Sequence, residues 1–107
     1  MSVPVIRKWQ ATIARDDVAA WKETFERRVL PNMRAVDGFR GITVLTERGG
    51  EPCRMTVLTA WEDMEAVQRF AGENPARTVM PDFMAPFFPT YDAEASFHDE
   101  IMAEASI

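Results

Sequence analysis

Few side chains in this 107-residue chain have the chemistry for a reaction or a ligand site: one histidine, one cysteine, one tyrosine and three tryptophans. His98 is the only group whose ordinary pKa lies near neutrality, which makes it the natural general base. It alternates with Asp92, Glu94, Ser96 and Glu100, so a solvated or interface-facing position is its other reading. A single histidine excludes a multi-histidine metal site, and Cys53 alone excludes an internal disulfide or a thiolate cluster. Neither a metal nor a cofactor is expected. Trp9 has the flat face to stack on a planar ligand, or to pack a core. Tyr91 can donate a hydrogen bond into a pocket, or stand as a buried aromatic with a wet tip. Seven methionines and the run Phe83-Met84-Ala85-Pro86-Phe87-Phe88 suit an adaptable apolar wall for a small hydrophobic or aromatic ligand. They equally suit a core that holds only three leucines.

Such residues need a scaffold, and the composition permits one: 47% apolar and 27% charged residues place the chain in the globular class. Its length fits one domain over residues 1–107. Twelve basic against seventeen acidic residues give a net charge of −5, which argues against a nucleic-acid partner. Charge in the opening residues and the lack of an apolar run of about 18 residues predict a soluble, cytoplasmic protein with no membrane partner.

Alternation of Val3, Val5, Arg7, Trp9, Ala11 and Ile13 on one face with Pro4, Ile6, Lys8, Gln10 and Thr12 on the other predicts a first strand. Asp16 or Asp17 then offers a cap to a helix whose apolar stripe is Val18, Trp21, Phe25, Val29, Met33 and Val36. Pro31 must kink or break that helix near Leu30, because its ring collides with the carbonyl of Arg27. Gly38 ends it. Residues 39–47 and 53–61 form a hairpin across the turn Arg48-Gly49-Gly50-Glu51-Pro52. Asp63 caps a second helix with the stripe Met64, Val67, Phe70 and Ala71, closed by Gly72. Asn74-Pro75 repeats a helix-start signal, so residues 75–80 are expected to form a short third helix. Residues 81–89 are irregular, and a last strand is expected over 91–102.

The order is the ferredoxin-like βαββαβ plan: an α+β fold with an antiparallel sheet and both helices on one side. Met55, Val57 and Trp61 lie on one face of the third strand and Leu58 and Ala60 on the other, so both sheet faces look partly buried. A homodimer in which two such sheets pack face to face accounts for this.

The stretch from Val57 to Val67, Val57-Leu58-Thr59-Ala60-Trp61-Glu62-Asp63-Met64-Glu65-Ala66-Val67, with Phe70-Ala71-Gly72-Glu73, resembles the antibiotic biosynthesis monooxygenase family of dimeric α+β barrels. Trp9, Val29-Leu30-Pro31 and Gly38-Phe39-Arg40-Gly41 extend the resemblance over nearly the whole chain. It implies two sheets packed into a dimeric α+β barrel. It also implies a cofactor-independent monooxygenase acting on a small aromatic or polyketide-like substrate between sheet and helices. An electron-rich phenolate can itself pass an electron to O₂, so such a site need only bind a flat ring, favour its anion and exclude water. By the resemblance Trp61 is the pocket tryptophan, and this reading requires it to line a cavity between helices and sheet; otherwise Trp61 is a core anchor. Asn74 and Arg77 follow the second helix, in a segment that covers the pocket in this family, and Arg77 can stabilise a phenolate or peroxide anion there, or lie on the surface.

The expected catalytic set is therefore Trp61, Arg77 and His98, and the expected substrate-binding set Trp9, Phe25, Asn74, Phe83 and Tyr91. Haem-degrading relatives pair the tryptophan with an Asn on the first strand and a His on or after the second helix. This chain has Arg7-Lys8-Trp9-Gln10 and no second-helix His, a mismatch to that axial ligation. A non-catalytic ligand-binding or structural dimeric module is the alternative from another class, motivated by the absence of an acid–base constellation.

Overall fold

The computed structural model describes residues 3–104, so Met1 and Ser2 of the opening segment lie outside the described residues. Four strands, β1 (Val5–Ile13), β2 (Phe39–Thr46), β3 (Cys53–Trp61) and β4 (Ser96–Asp99), form one antiparallel sheet in the order β2-β3-β1-β4. The alternation read in the first strand holds from Val5 onward: Val5, Arg7, Trp9, Ala11 and Ile13 are buried and the residues between them half-buried, whereas Val3 precedes the strand and is exposed. Each pairs with an inward residue of β3, so Trp61, Thr59, Val57, Met55 and Cys53 share their face. Helices α1 (Val18–Arg28), α2 (Leu30–Arg34) and α3 (Met64–Ala71) supply the residues that pack on it.

The helix stripe breaks where proline dictates. Val29 separates α1 from α2 with φ −111°, and Pro31 sits in the first turn of α2, where its missing N–H is harmless. The expected aspartate cap on α1 is not made. A 3-10 turn at Arg15–Asp17 runs directly into the helix, Asp17 already has helical backbone, and no side chain caps the first turn. Asp63 behaves as read, its extended backbone letting the carboxylate accept from the N–H of Ala66 at 2.9 Å. On α3 the buried residues are Ala66 and Val67, whereas Met64 is exposed. Ala66 is buried because Gly38 comes down on it. A Cβ on Gly38 would stand 2.5 Å from the Ala66 Cβ, and its φ is +94°. Gly38→Ala therefore combines a left-handed strain with a clash and is expected to cost about 2–4 kcal/mol. Urea unfolding checks this, and a change below about 0.5 kcal/mol would contradict the close approach.

Two expected elements are replaced. Residues 75–80 form no helix: after one turn, with the N–H of Arg77 on the carbonyl of Asn74 at 3.1 Å, the backbone pairs with residues 93–95 instead. Thr78 N–H donates to Ala93 O at 3.0 Å and Ala95 N–H to Ala76 O at 2.6 Å, satisfying groups a short helix would leave unpaired. The last strand is correspondingly shorter than residues 91–102. Lys8 lies opposite Ser96 and Ala11 opposite Tyr91, so two extra residues bulge from the edge between these points, and residues 76–78 dock into the bulge.

The outer sheet face carries Ile6, Leu58 and Ala60, half-buried, and Leu45, 51% exposed. No helix among the described residues is long and apolar enough to cross a membrane.

Candidate functional site

Between the inner sheet face and the helices lies a cavity of about 90 Å³. Arg7, Trp9, Val57 and Thr59 form its floor, Trp21, Phe25, Val29, Met33 and Phe70 its walls, and Thr78 to Pro81 with Met84 and Phe88 its roof. The walls follow from the α1 stripe, in which Trp21 stacks on Phe25 at 4.9 Å. The roof is the irregular segment after α3, held down at its far end where Phe88 meets Trp9 edge-on at 5.4 Å. An apolar cavity of about 150 Å³ accommodates benzene. The present space is smaller than that, so even one ring requires some outward displacement of residues 78–88, and a polycycle requires more.

Only three polar residues reach this space, and two of them are already committed. The Thr59 hydroxyl donates to Arg7 O at 3.4 Å and accepts from Trp61 Nε1 at 2.9 Å. The Thr78 hydroxyl donates to Asp92 O and accepts from Trp9 Nε1 at 3.0 Å, while Trp9 Nε1 also reaches Asp92 O at 2.8 Å.

Arg7 differs from both. It is 6% exposed, donates from Nε to Pro75 O at 3.1 Å and from Nη2 to Arg77 O at 2.7 Å, and places Cζ 5.7 Å from the centre of the Phe70 ring. Among the described residues no carboxylate pairs with it and Nη1 has no protein acceptor. Burial pushes its pKa down by desolvating the charged form, yet an arginine remains protonated throughout the neutral range. The cavity therefore encloses an uncompensated positive charge with a free donor, among aromatic rings and methionines. A planar anion is the complement of that arrangement.

The structure brings few of the expected residues together. Trp9 and Phe25 line the cavity. Phe83 lines an adjoining groove rather than the cavity. Trp61 is fully buried and lines neither; it stacks on Phe70 at 5.1 Å and meets Phe39 edge-on at 5.3 Å, on the far side of Thr59. The requirement that Trp61 line a cavity between helices and sheet is not met, and it is a core anchor. Arg77 and Asn74 are exposed, because their segment is extended against residues 93–95 instead of coiled over the cavity, and Arg77 contributes its carbonyl rather than its side chain. Tyr91 is 45% exposed and rests behind Trp9 at 6.0 Å, outside the lining. His98 is exposed on the outer sheet face opposite Ile6, bonded to Ser96 Oγ at 2.8 Å, so the sheet separates it from the cavity. Arg7, Thr59, Phe70, Thr78, Met84 and Phe88 are lining residues that the sequence-based set omits. Legible signals existed for three of them: Met84 and Phe88 belong to the run read as an apolar wall, and Arg7 is the lone charge in the inward row of β1.

The lining holds no carboxylate, imidazole, thiol, phenol or amine, so the protein offers an enclosure, stacking faces and one cation but no proton acceptor. No group of three or more His, Cys, Asp or Glu among the described residues is placed to hold a metal ion. Histidine ligation of a haem does not fit this cavity, since the chain's one histidine is on the opposite sheet face.

Residues 4–81 match the family model described as antibiotic biosynthesis monooxygenase. No curated protein matches the chain. Among solved structures it is similar to a monooxygenase from the gene ActVA-Orf6 of Streptomyces coelicolor in complex with the ligand nanaomycin D. There the identity is 16% and the TM-score 0.67, over 98% of this chain and 94% of that one. SnoaB, a cofactor-independent oxygenase from Streptomyces nogalater, matches at 16% identity and TM-score 0.57, over 99% of this chain and 98% of its own. A haem-degrading protein from Mycobacterium tuberculosis matches at 18% identity and TM-score 0.67, over 99% and 100% of the two chains. At these identities the structural likeness concerns the fold.

Proposed function

The chain belongs to the antibiotic biosynthesis monooxygenase family, and from that premise we propose that it binds a small hydroxyaromatic compound as its anion in the Arg7 cavity and oxygenates it with O₂ without a cofactor. With Trp61 out of the cavity, the reading rests on Arg7: a buried cation with a free donor in an aromatic enclosure favours the phenolate over the phenol. A phenolate passes one electron to O₂, leaving a phenoxyl radical and superoxide. Their combination forms a C–O bond at a ring carbon bearing hydrogen, and loss of water from the resulting hydroperoxide leaves a second carbonyl. One oxygen atom enters the ring, the other departs as water with two hydrogens of the substrate, and no outside reductant is consumed. The protein's part is to exclude water and hold the anion.

The same lining favours a second reading, a module that binds the hydroxyaromatic without converting it, since no residue there can take up a proton. Oxygen uptake with monocyclic hydroxyaromatics and anthrones, paired with quenching of tryptophan fluorescence as a measure of binding, separates the two. Uptake above that of heat-denatured protein and of Arg7→Met supports oxygenation, and His98→Gln should then retain it. Quenching without uptake identifies the binding module. Neither signal with any compound overturns both readings for this substrate class.

The outer sheet face, with Ile6, Leu58, Ala60 and Leu45, is the surface proposed to pair two copies of the chain sheet to sheet. Light scattering at micromolar concentration is expected to give twice the 12.2 kDa chain mass. A value equal to the chain mass would contradict the pairing.

A further inference from the structure

The cavity does not end at its walls. A groove of about 290 Å³ runs outward from it between α1, α2, α3 and the roof segment, sharing Val29, Met33, Phe70, Val79 and Pro81 with the cavity lining. Its polar residues are Arg28, Arg69 and Asn32, with no carboxylate among them, although the chain as a whole carries a net charge of −5. Arg69 is partly spoken for, donating to Asp37 O at 3.0 Å and standing 3.8 Å from a Glu65 oxygen. Arg28 has no carboxylate partner among the described residues; its guanidinium lies 3.8 Å above the centre of the Phe83 ring. Stacking holds that group against the groove wall and leaves the in-plane N–H donors at its edge uncommitted, the arrangement in which an arginine receives a carboxylate.

Resting on the proposed function, we propose that the substrate is an aromatic acid: its hydroxylated ring occupies the Arg7 cavity, and a carboxylate on a short arm lies along the groove against Arg28, with Arg69 as the second cation. Two positive stations then read two acceptors on one molecule, the inner one a ring oxygen and the outer one a tail. A neutral hydroxyaromatic satisfies only the inner station. Phe83, on the chain segment between the roof residues Pro81 and Met84, carries the Arg28 guanidinium on its ring at the groove wall.

The test uses 4-hydroxyphenyl alkanoic acids with arms of two to four methylene carbons, each paired with its neutral primary amide, titrated into the full-length protein by calorimetry at low ionic strength. For at least one arm length the acid is expected to bind about twofold to fivefold more tightly than its amide, the gain typical of a charge pair at a partly exposed site. The acid-to-amide ratio should fall towards one in Arg28→Gln and remain above one in Arg28→Lys; taking a ratio cancels any general loosening of the roof. Ratios near one at every arm length in the unaltered protein overturn the aromatic-acid assignment while leaving the proposed cavity binding standing. A ratio in Arg28→Gln equal to that of the unaltered protein also overturns it. Failure of acids and amides alike to bind overturns the cavity reading itself.

Discussion

Arg7→Met is expected to weaken binding of a hydroxyaromatic by about tenfold to a hundredfold, since a hydrogen bond to a charged group contributes about 1.5–3 kcal/mol and each 1.4 kcal/mol is a factor of ten. The loss should be accompanied by a spectroscopic change. A cation beside the ring oxygen lowers the phenol pKa, so the unaltered protein should convert part of the bound phenol to phenolate below the pH at which the free compound ionises. Mixing near neutral pH should produce a phenolate difference band, and the methionine variant should not. Stability is the weaker readout of this substitution. The carbonyls of Pro75 and Arg77 lose their donors, which destabilises, while removal of a buried charge without a counter-ion acts in the opposite direction. Arg7→Lys should fall between the two proteins, because one ammonium cannot reproduce the planar fork that serves both carbonyls and a ligand. A methionine variant that kept parental affinity and produced the same band would remove Arg7 from the site.

The largest effect on stability is expected at Trp61. Its side chain is fully buried, stacked on Phe70, edge-on to Phe39 and hydrogen-bonded to Thr59. Trp61→Ala should cost about 3–5 kcal/mol by lost burial and the cavity left behind, lowering the melting temperature by on the order of 15 °C or more. Trp61→Phe retains most of the packing and loses the N–H donor, at a cost of about 1–2 kcal/mol. Because Trp61 lines no cavity, the phenylalanine variant should bind and turn over ligand as the parent does wherever it remains folded. Loss of turnover in fully folded Trp61→Phe, judged by circular dichroism and calorimetry on the same sample, would return Trp61 to the site.

These two residues also mark what could be read from the chain. Strand β1 from Val5 onward, the break at Pro31, the Asp63 cap and the Gly72 stop are local signals, each set by the residue itself and its near neighbours, and they appear where the sequence puts them, whereas α2 already ends at Arg34 with Ala35 as its cap, short of the expected stop at Gly38. The expected helix over 75–80 was a local signal too, but residues 93–95 offered its backbone better partners from a distance in sequence that no local rule weighs. The same long-range pairing decided the fate of Asn74 and Arg77. Trp61 was legible as the end of β3; the side of Thr59 on which it packs depends on Phe39 and Phe70, contributed by two other elements. His98 shows the limit of chemical type as evidence, for strand parity puts it on the outer face with Ile6 whatever its pKa. Arg7 was visible as a charge in an apolar row, and only the tertiary fold gives that charge two carbonyls and a cavity.

The carbonyl clamp on Arg7 bears on how such a site drifts. The groups that aim the guanidinium belong to the main chain at positions 75 and 77, and their side chains are exposed or half-exposed. Substitution at those positions leaves the acceptors in place provided the path of the chain is kept, whereas inserting or deleting one residue between Gly72 and Thr78 displaces both at once. The site is thus written in loop length rather than in residue identity, and two proteins could share this arginine pocket while showing no common letters along the segment that holds it.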